Sequence, residues 1–199
     1  GAYAVFMGAC GLILVAALMQ ESHQLAFRDQ LTGLPGRRAL EERLRSLGGE
    51  YTIAMVDVDH FKKFNDAHGH DVGDQVLKLV ARRLSKIAAG GTAYRYGGEE
   101  FSVLFPNAGL GAAEPALEAM RDSIEKYRMA VRSPDRPKKG DEGVKRRGEG
   151  SPENALLSVT VSIGVAAPSP EARTPLQVIK EADAALYRAK QAGRNRLSR

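Results

Sequence analysis

The apolar positions of this chain form two different patterns, one near the N-terminus and one in the remaining residues. After residue 50, strand-like apolar runs alternate with segments in which apolar residues recur every three or four positions, as in an amphipathic helix. Strands are predicted over Tyr51–Asp59, Thr92–Tyr96, Phe101–Phe105 and Leu157–Val165. Helices are predicted around Leu40 and Leu44 and over residues 74–87, 112–131 and 176–191, with a short helix and a loop between residues 60 and 74.

The N-terminal pattern is an uncharged apolar run of 18 residues, Ala2–Met19, without amphipathic periodicity. As a helix it is about 27 Å long, close to the hydrocarbon thickness of a bilayer. We interpret residues 1–20 as the C-terminal part of a transmembrane helix and residues 21–28 as a helical linker. A buried signalling or dimerisation helix and a packed N-terminal strand are the alternatives. Since the sequence begins at Gly1 without Met, we expect a fragment of a larger protein.

Charge and composition narrow the choice of partners. The net charge of +5 and the pI of about 9.4 suit phosphate-rich ligands, nucleic acid or an anionic membrane surface. The single cysteine, Cys10, excludes an intrachain disulfide and a cysteine-rich zinc site. Residues 133–153 are rich in Pro, Gly, Lys and Arg, so we predict a flexible basic insertion there, solvated rather than bound to nucleotide or lipid. Arginines after the apolar run place the following domain on the cytoplasmic side.

Two groups of carboxylates mark the candidate chemistry. Asp57 and Asp59 end a predicted core strand and, being two apart, point the same way in extended chain. Glu99 and Glu100 directly follow a Gly97-Gly98 turn between two predicted strands, a pattern typical of a β-hairpin. Acidic groups beside a backbone without side chains suit a divalent metal and a phosphate ligand. The alternative for the aspartates is a strand that ends in solvated carboxylates, and the alternative for the glutamates is a surface turn with solvated carboxylates.

Other polar residues could recognise a nucleotide. Asn65 offers an amide donor and acceptor, and the Asp74 carboxylate can accept from the N1–H and 2-amino groups that guanine has and adenine lacks. Lys190 and Arg194 are four apart and lie on one side of the last helix if it continues, as a phosphate clamp would require. Their alternative role is to complement the helix dipole. No aromatic stacking platform or helix-turn-helix supports nucleic-acid binding.

Four separated motifs make the chain resemble a GGDEF domain, the catalytic domain of diguanylate cyclases, from about Leu25 to Leu197. They are Asp29-x-Leu31-Thr32-Gly33-Leu34, Asp57-x-Asp59-x-Phe61-Lys62-x-x-Asn65-Asp66-x-x-Gly69-His70-x-x-Gly73-Asp74, Gly97-Gly98-Glu99-Glu100-Phe101, and Ala182-Asp183-x-Ala185-Leu186-Tyr187-x-Ala189-Lys190-x-x-Gly193-Arg194-Asn195. The resemblance implies an α+β fold over residues 29–199, with a central, mostly antiparallel sheet flanked by helices, as in nucleotidyl cyclases and polymerase palms.

The same resemblance implies a reaction and its metal site. Two GTP would give cyclic di-3′,5′-GMP and two pyrophosphates between two domains that face each other as a homodimer. Mg²⁺ or Mn²⁺, two ions per half-site, would be bound by Asp57, Glu100, the carbonyl of Val58 and Glu99. Glu99 is assigned as base, second-metal ligand or positioning group. Arg95 would stabilise the transition state or an adjoining charge.

For the substrate, the resemblance implies phosphate binding by the backbone N–H of Phe61 and the side chains of Lys62, Lys190 and Arg194. Gly97 and Gly98 leave room for the nucleotide, and Asn65 and Asp74 read guanine. Asp74 favours strict use of GTP over a mixed guanine–adenine synthase. The expected location is the inner membrane of a bacterium, with the catalytic domain facing the cytoplasm.

Departures from the family pattern shape the remaining expectations. The inhibitory Arg-x-x-Asp positions of many relatives are Ala88 and Gly91 here, which predicts weak or absent product inhibition through that site. Glu99 replaces the Asp of the family name, and such variants are active. The alternative function is a catalytically silent GGDEF module that binds GTP or cyclic di-GMP and regulates a partner.

Overall fold

The structure, a computed structural model, describes residues 27–130 and 156–199, together with Met7, Gly11 and Ile13. Most of the predicted transmembrane segment and linker, and the basic insertion at 133–153, therefore lie outside the described residues. None of the helices in the described ranges is long and apolar enough to cross a bilayer.

A five-stranded sheet lies at the centre of the domain. Its strands are β1 (Tyr51–Val58), β2 (Thr92–Arg95), β3 (Glu100–Pro106), β6 (Val161–Ala166) and β7 (Leu197–Ser198). The order across the sheet is β2-β3-β1-β6-β7, and all neighbours are antiparallel except β6 and β7. A separate pair joins β4 (Met129–Ala130) to β5 (Leu156–Leu157). The predicted mostly antiparallel α+β sheet is confirmed.

Helices cover both faces of this sheet. The described helices are α1 (Arg37–Arg45), α2 (Phe61–His68), α3 (His70–Leu84), α4 (Leu110–Glu125) and α5 (Pro175–Gln191). On one face, Val56 of the central strand belongs to a core cluster with residues of α3 and α4. On the other face, Met55 packs in a second cluster with residues of α1 and α5. All eight residues of β1 are buried, which explains why its sequence is apolar apart from Thr52 and Asp57.

One glycine brings α5 unusually close to the sheet. A Cβ at Gly164 in β6 would lie 2.7 Å from Cα of Leu186, and closer still to the carbonyl oxygen of Ala182 and the amide nitrogen of Leu186. Real Cβ atoms essentially never approach other atoms under 3.0 Å. Only glycine therefore allows the backbone of the last helix to rest directly on the strand.

Three predicted boundaries were wrong. The loop before residue 74 is reduced to Gly69, whose φ of +83° ends α2 and lets α3 begin at His70. The helix predicted over 112–131 ends at Glu125, because Met129 instead pairs with Leu157 in a short ladder. That pairing also interrupts the strand predicted over Leu157–Val165, which resumes only at Val161.

Candidate functional site

The acidic residues meet where β1 ends beside the β2–β3 hairpin. In the antiparallel register, Asp57 is the partner of Glu100 on one side and of Ser162 on the other. The amide N–H of Val58 donates to the carbonyl oxygen of Glu99 at 3.3 Å, which fixes the hairpin tip against the end of the central strand. The sheet thus brings together the two predicted metal-binding segments, which are separated by about 40 residues in the sequence.

A lysine from the last helix neutralises the central acid. The ammonium of Lys190 lies 2.9 Å from Oδ1 of Asp57, whose side chain is only 7% exposed. Burial raises the pKa of Asp57, and the ion pair with Lys190 opposes that rise, whereas the nearby charges of Glu100 and Asp59 add to it. A buried carboxylate of this kind stays ionised more readily with a cation beside it than without one.

Glu99 is affected by burial and by several of the same charges as Asp57. Burial raises its pKa, the negative charges of Asp57 and Glu100 raise it further, and the positive charge of Lys190 opposes them. Glu99 and Glu100 are both half-buried. Across the described ranges, no three His, Cys, Asp or Glu side chains are arranged closely enough to hold a metal ion. The carboxylates that a divalent ion could use are Asp57 and Glu100, which are partners across adjacent strands, and Glu99, which precedes Glu100 in the chain.

Arg95 fixes the shape of the hairpin tip. Its guanidinium donates to the carbonyl oxygens of Gly97 at 3.1 Å and Gly98 at 2.6 Å, and it forms an ion pair with Asp29 at 2.8 Å. The same Asp29 oxygen accepts from the amide and the hydroxyl of Thr32. The structure therefore gives Arg95 an adjoining charge, Asp29, whose role the sequence reasoning missed.

Asp59 clamps the C-terminal segment to β1. Its carboxylate accepts from the hydroxyls of Thr160 at 2.7 Å and Ser162 at 2.6 Å, and from the amide N–H of Asn195 at 3.0 Å. With these donors satisfied and 6% exposure, Asp59 supports the site rather than lining it. The alternating hydroxyls of residues 158–162, which include Thr160 and Ser162, were the signal that could have indicated this partner.

The predicted base-reading residues lie on the pair α2 and α3. Asn65 is half-buried, and its Oδ1 is buried without a hydrogen-bond partner in this part of the structure. Asp74 and Lys62 are exposed. Phe61 is the first residue of α2, and the N–H groups of a helical first turn have no acceptor within the helix. Such a turn suits a phosphate oxygen.

Arg194 reaches its position by a different route from the one predicted. The last helix ends at Gln191, as predicted, so it does not continue to Arg194 and the condition for placing Lys190 and Arg194 on one helical face is not met. The chain turns back through Gly193 and Arg194, both with positive φ, and the amide of Arg194 donates to the carbonyl oxygen of Ala189 at 3.0 Å. The turn then delivers Asn195 to Asp59.

The family model described as "Diguanylate cyclase, GGDEF domain" matches residues 26–144 and 141–196. This chain belongs to the GGDEF family. Among curated proteins it is 41% identical over 185 residues to the response regulator PleD of Caulobacter vibrioides, covering 89% of this chain and 37% of PleD. It is 39% identical over 188 residues to the diguanylate cyclase DgcP of Pseudomonas aeruginosa, covering 90% of this chain and 25% of DgcP. The chain thus spans well under half of either relative.

The fold of this GGDEF domain matches solved members of the family. The coiled coil and GGDEF domain of DgcB from Caulobacter crescentus, in complex with c-di-GMP, superposes with a TM-score of 0.81 at 30% identity. The match covers 96% of this chain and 94% of that one.

One further acid of the GGDEF domain approaches the site. Asp183 lies on α5, seven residues and about two helical turns before Lys190, and therefore on the same helical face. Burial raises the pKa of Asp183, the charge of Glu100 raises it further, and Lys190 opposes both. Asp183 stands in the fourth family motif without a predicted role, although its seven-residue spacing from Lys190 is visible in the sequence.

Proposed function

We propose that this GGDEF domain condenses two GTP molecules into cyclic di-3′,5′-GMP, with release of two pyrophosphates. The observation that carries the proposal is the pairing of Asp57 with Glu100 across adjacent strands, with Lys190 2.9 Å from Asp57. One buried carboxylate, one half-buried carboxylate and one lysine ammonium form a site that can bind both a divalent ion and a triphosphate.

The metal component rests on Asp57 and Glu100, with Glu99 and the carbonyl of Val58 as additional oxygen donors. Carboxylate and carbonyl oxygens are the ligands that Mg²⁺ and Mn²⁺ prefer. When bound, the divalent ions neutralise triphosphate charge and lower the pKa of the attacking hydroxyl. Burial and neighbouring carboxylates raise the pKa values of Asp57 and Glu99, and a bound divalent ion would oppose that rise as Lys190 does.

In the proposed reaction, the 3′-hydroxyl oxygen of one GTP forms a bond to the α-phosphorus of the other. The bond from that phosphorus to the β-phosphate oxygen breaks, pyrophosphate leaves, and the hydroxyl proton passes to a base or to solvent. In the second step, the 3′-hydroxyl of the other nucleotide attacks the remaining α-phosphorus, the second pyrophosphate leaves, and the ring closes. Lys190, Arg194, Lys62 and the N–H of Phe61 are proposed to bind phosphate oxygens.

Because each domain carries one such set of residues, two domains must face each other with one GTP apiece. We therefore propose a homodimer as the active form, with Arg95 holding the hairpin tip that lies at its centre. Asn65 and Asp74 are proposed to read guanine. With Ala88 and Gly91 in place of the inhibitory pair, product inhibition through that site is expected to be weak or absent.

We further propose that residues 1–20 end a transmembrane helix and hold the domain at the cytoplasmic face of a bacterial inner membrane. The support is the apolar run of the sequence. Fractionation of the full-length protein tests this point: recovery in the soluble fraction without detergent contradicts it.

The test of the reaction is product formation from GTP, from ATP and from their mixture with Mg²⁺. It compares the chain Gly1–Arg199 with the same chain fused to a dimeric coiled coil, and includes Glu100→Gln as the matched low-activity control. We expect cyclic di-GMP from GTP alone, a higher rate per chain in the forced dimer, and a rate about 100-fold lower from Glu100→Gln. GTP binding without product in the forced dimer would instead establish the alternative, a silent module that regulates a partner.

A further inference from the structure

Gly73 is placed where no side chain fits. It is buried in the first turns of α3, and a Cβ there would lie 2.9 Å from Cγ of Asn65 and closer still to its Oδ1. The same Cβ would lie 3.3 Å from Cζ of Phe61. Glycine is a poor helix former, so its presence inside α3 needs a reason outside the helix itself. That reason is the amide of Asn65, which packs directly against the Gly73 backbone.

The contact fixes which end of the amide is available. Oδ1 of Asn65 is buried and has no donor among the residues that the structure describes. Nδ2 of Asn65 also forms no hydrogen bond within the described residues, but unlike Oδ1 it is not buried and is open to solvent. The oxygen end is therefore seated against Gly73 and the NH₂ end is the part that a ligand can reach.

We propose that Gly73 is a positioning residue that turns the NH₂ end of Asn65 toward the base, so that Asn65 acts as a donor. This inference rests on the proposed function, because it concerns how the same site recognises GTP. A donor pairs with base acceptors such as N3, which guanine and adenine share. The donors that distinguish guanine, N1–H and the 2-amino group, need an acceptor, and the exposed carboxylate of Asp74 supplies it.

The two residues therefore have different tasks. Asn65 strengthens binding of any purine nucleotide with the right shape, and Asp74 carries the selectivity for guanine. Inosine separates these tasks, because it keeps N3 and N1–H but lacks the 2-amino group. Loss of Asn65 should weaken guanine and inosine nucleotides by the same factor. Loss of Asp74 should weaken the guanine nucleotide more than the inosine nucleotide.

The experiment measures binding by calorimetry, with 3′-deoxy-GTP and 3′-deoxy-ITP, which lack the attacking hydroxyl and cannot react. The variants are Gly73→Ala, Asn65→Ala, their double mutant and Asp74→Ala. Gly111→Ala is the matched control, because Gly111 also lies near the start of a helix and a Cβ there meets nothing within 4 Å. We expect Gly73→Ala and Asn65→Ala each to weaken both nucleotides about tenfold, the loss of one good hydrogen bond to a ligand.

The double mutant decides between a shared and an independent effect. If Gly73 acts through Asn65, the double mutant binds no more weakly than Asn65→Ala alone. It should also regain any thermal stability that Gly73→Ala loses, because the clashing amide is gone. Additive losses in the double mutant, or failure to regain stability, overturn the proposal.

Two further results overturn it: unchanged nucleotide binding by Gly73→Ala, and an Asn65→Ala variant that weakens the guanine nucleotide but not the inosine nucleotide. A wild-type chain that binds 3′-deoxy-GTP but makes no cyclic di-GMP from GTP contradicts the proposed reaction alone. The binding comparison remains valid in that case, so the two failures are distinguishable.

Discussion

The Lys190 ammonium lies 2.9 Å from Oδ1 of Asp57, and this ion pair joins the last helix to the central strand of the sheet. One partner is a proposed phosphate-binding residue and the other a proposed metal ligand. In this structure the two residues are paired with each other. If metal and triphosphate bind as proposed, the ion pair between Asp57 and Lys190 must break. Two new ion pairs then replace it, one between the metal and Asp57 and one between a phosphate and Lys190. The positive charge of the metal offsets the negative charge of the triphosphate, so the total charge of the site changes little.

Removal of Lys190 should make metal binding more sensitive to acid. Burial already raises the pKa of Asp57, and Lys190 lowers it, so Lys190→Met leaves the pKa higher still. Since a metal ligand must be deprotonated, the pH at which Mn²⁺ binds should move upward in this variant. Mn²⁺ titrations without nucleotide across a pH series measure this. Lys180→Met, at an exposed position of the same helix, is the control and should leave the curve in place. A downward movement in Lys190→Met contradicts the ion pair's role.

Asp59 and Glu100 should separate stability from activity. Asp59→Ala removes a carboxylate that accepts three hydrogen bonds, and we expect it to lower the free energy of unfolding by about 3 kcal/mol. Glu100→Gln keeps the shape of its side chain and should change stability by less than about 1 kcal/mol. It should nevertheless lower kcat by about 100-fold, equal to about 2.7 kcal/mol of transition-state stabilisation. Urea unfolding and initial rates check both; equal stability losses would remove the distinction.

Gly164→Ala should be among the most destabilising single-methyl additions in the domain. The new Cβ meets helix backbone, which cannot rotate away as a side chain can, so α5 must move off the sheet. We expect a loss of about 3 kcal/mol, at the upper end for overpacking. Thermal unfolding measures it, with Gly111→Ala as the neutral or slightly stabilising control. An unchanged Tm would show that α5 does not rest on β6 as described.

The Asp29–Arg95 pair should stabilise the hairpin in a pH-dependent way. Burial acts to raise the pKa of Asp29, but hydrogen bonds from Thr32 and Arg95 outweigh it and the pKa is lowered. A lowered folded-state pKa gives stability that is present above the unfolded value of about 3.9 and is lost as the pH falls through the folded value. Asp29→Asn should therefore lower the free energy of unfolding by about 1–2 kcal/mol at pH 7. On acidification, the stability of this variant should fall less than the stability of the wild type.

A matched comparison comes from an exposed pair. Glu41→Gln breaks the ion pair between Arg37, which is 58% exposed, and Glu41, which is 46% exposed. This substitution should lower the free energy of unfolding by no more than about 0.5 kcal/mol. Urea unfolding at pH 7 and pH 3 gives both values. Equal effects of the two substitutions would mean that the buried guanidinium of Arg95, 13% exposed, gains nothing from Asp29.

Product inhibition should be absent and hard to restore. A Cβ at Gly91 would lie 2.7 Å from Cε1 of Phe105 and 2.8 Å from Cγ2 of Ile87, and the ring of Phe105 is fully buried. We expect initial rates to be unaffected by added cyclic di-GMP. Ala88→Arg with Gly91→Asp should lower the Tm without introducing inhibition, whereas Ala88→Arg alone should leave the Tm unchanged. Inhibition in the double variant at wild-type Tm would contradict this packing.

The sequence carried enough information for the elements whose pattern is local. β1 was predictable because six of its eight residues are apolar, and the hairpin because Gly97 and Gly98 separate two apolar runs. Asp57 and Glu100 were both named, and the antiparallel register then placed them side by side. The end of α5 near Gln191 was also visible, because Gly193 follows it closely.

What could not be predicted depends on distant partners. The donors to Asp59 lie 101, 103 and 136 residues further along the chain, and no local spacing announces them. The start of α3 was missed because a single glycine, Gly69, replaces the expected loop. The role of Gly73 was missed because it depends on where Asn65, eight residues earlier, packs in three dimensions.

The contact between Asp59 and Asn195 also sets an order in time. A ribosome delivers the acids of β1 and the hairpin early and residues 190–195 more than 130 residues after Asp57, so a growing chain holds its carboxylates without the lysine that balances them. An incomplete chain therefore lacks the edge strand β7 and two of the proposed phosphate-binding cations, Lys190 and Arg194. Output of the proposed second messenger begins only after the whole domain has been synthesised.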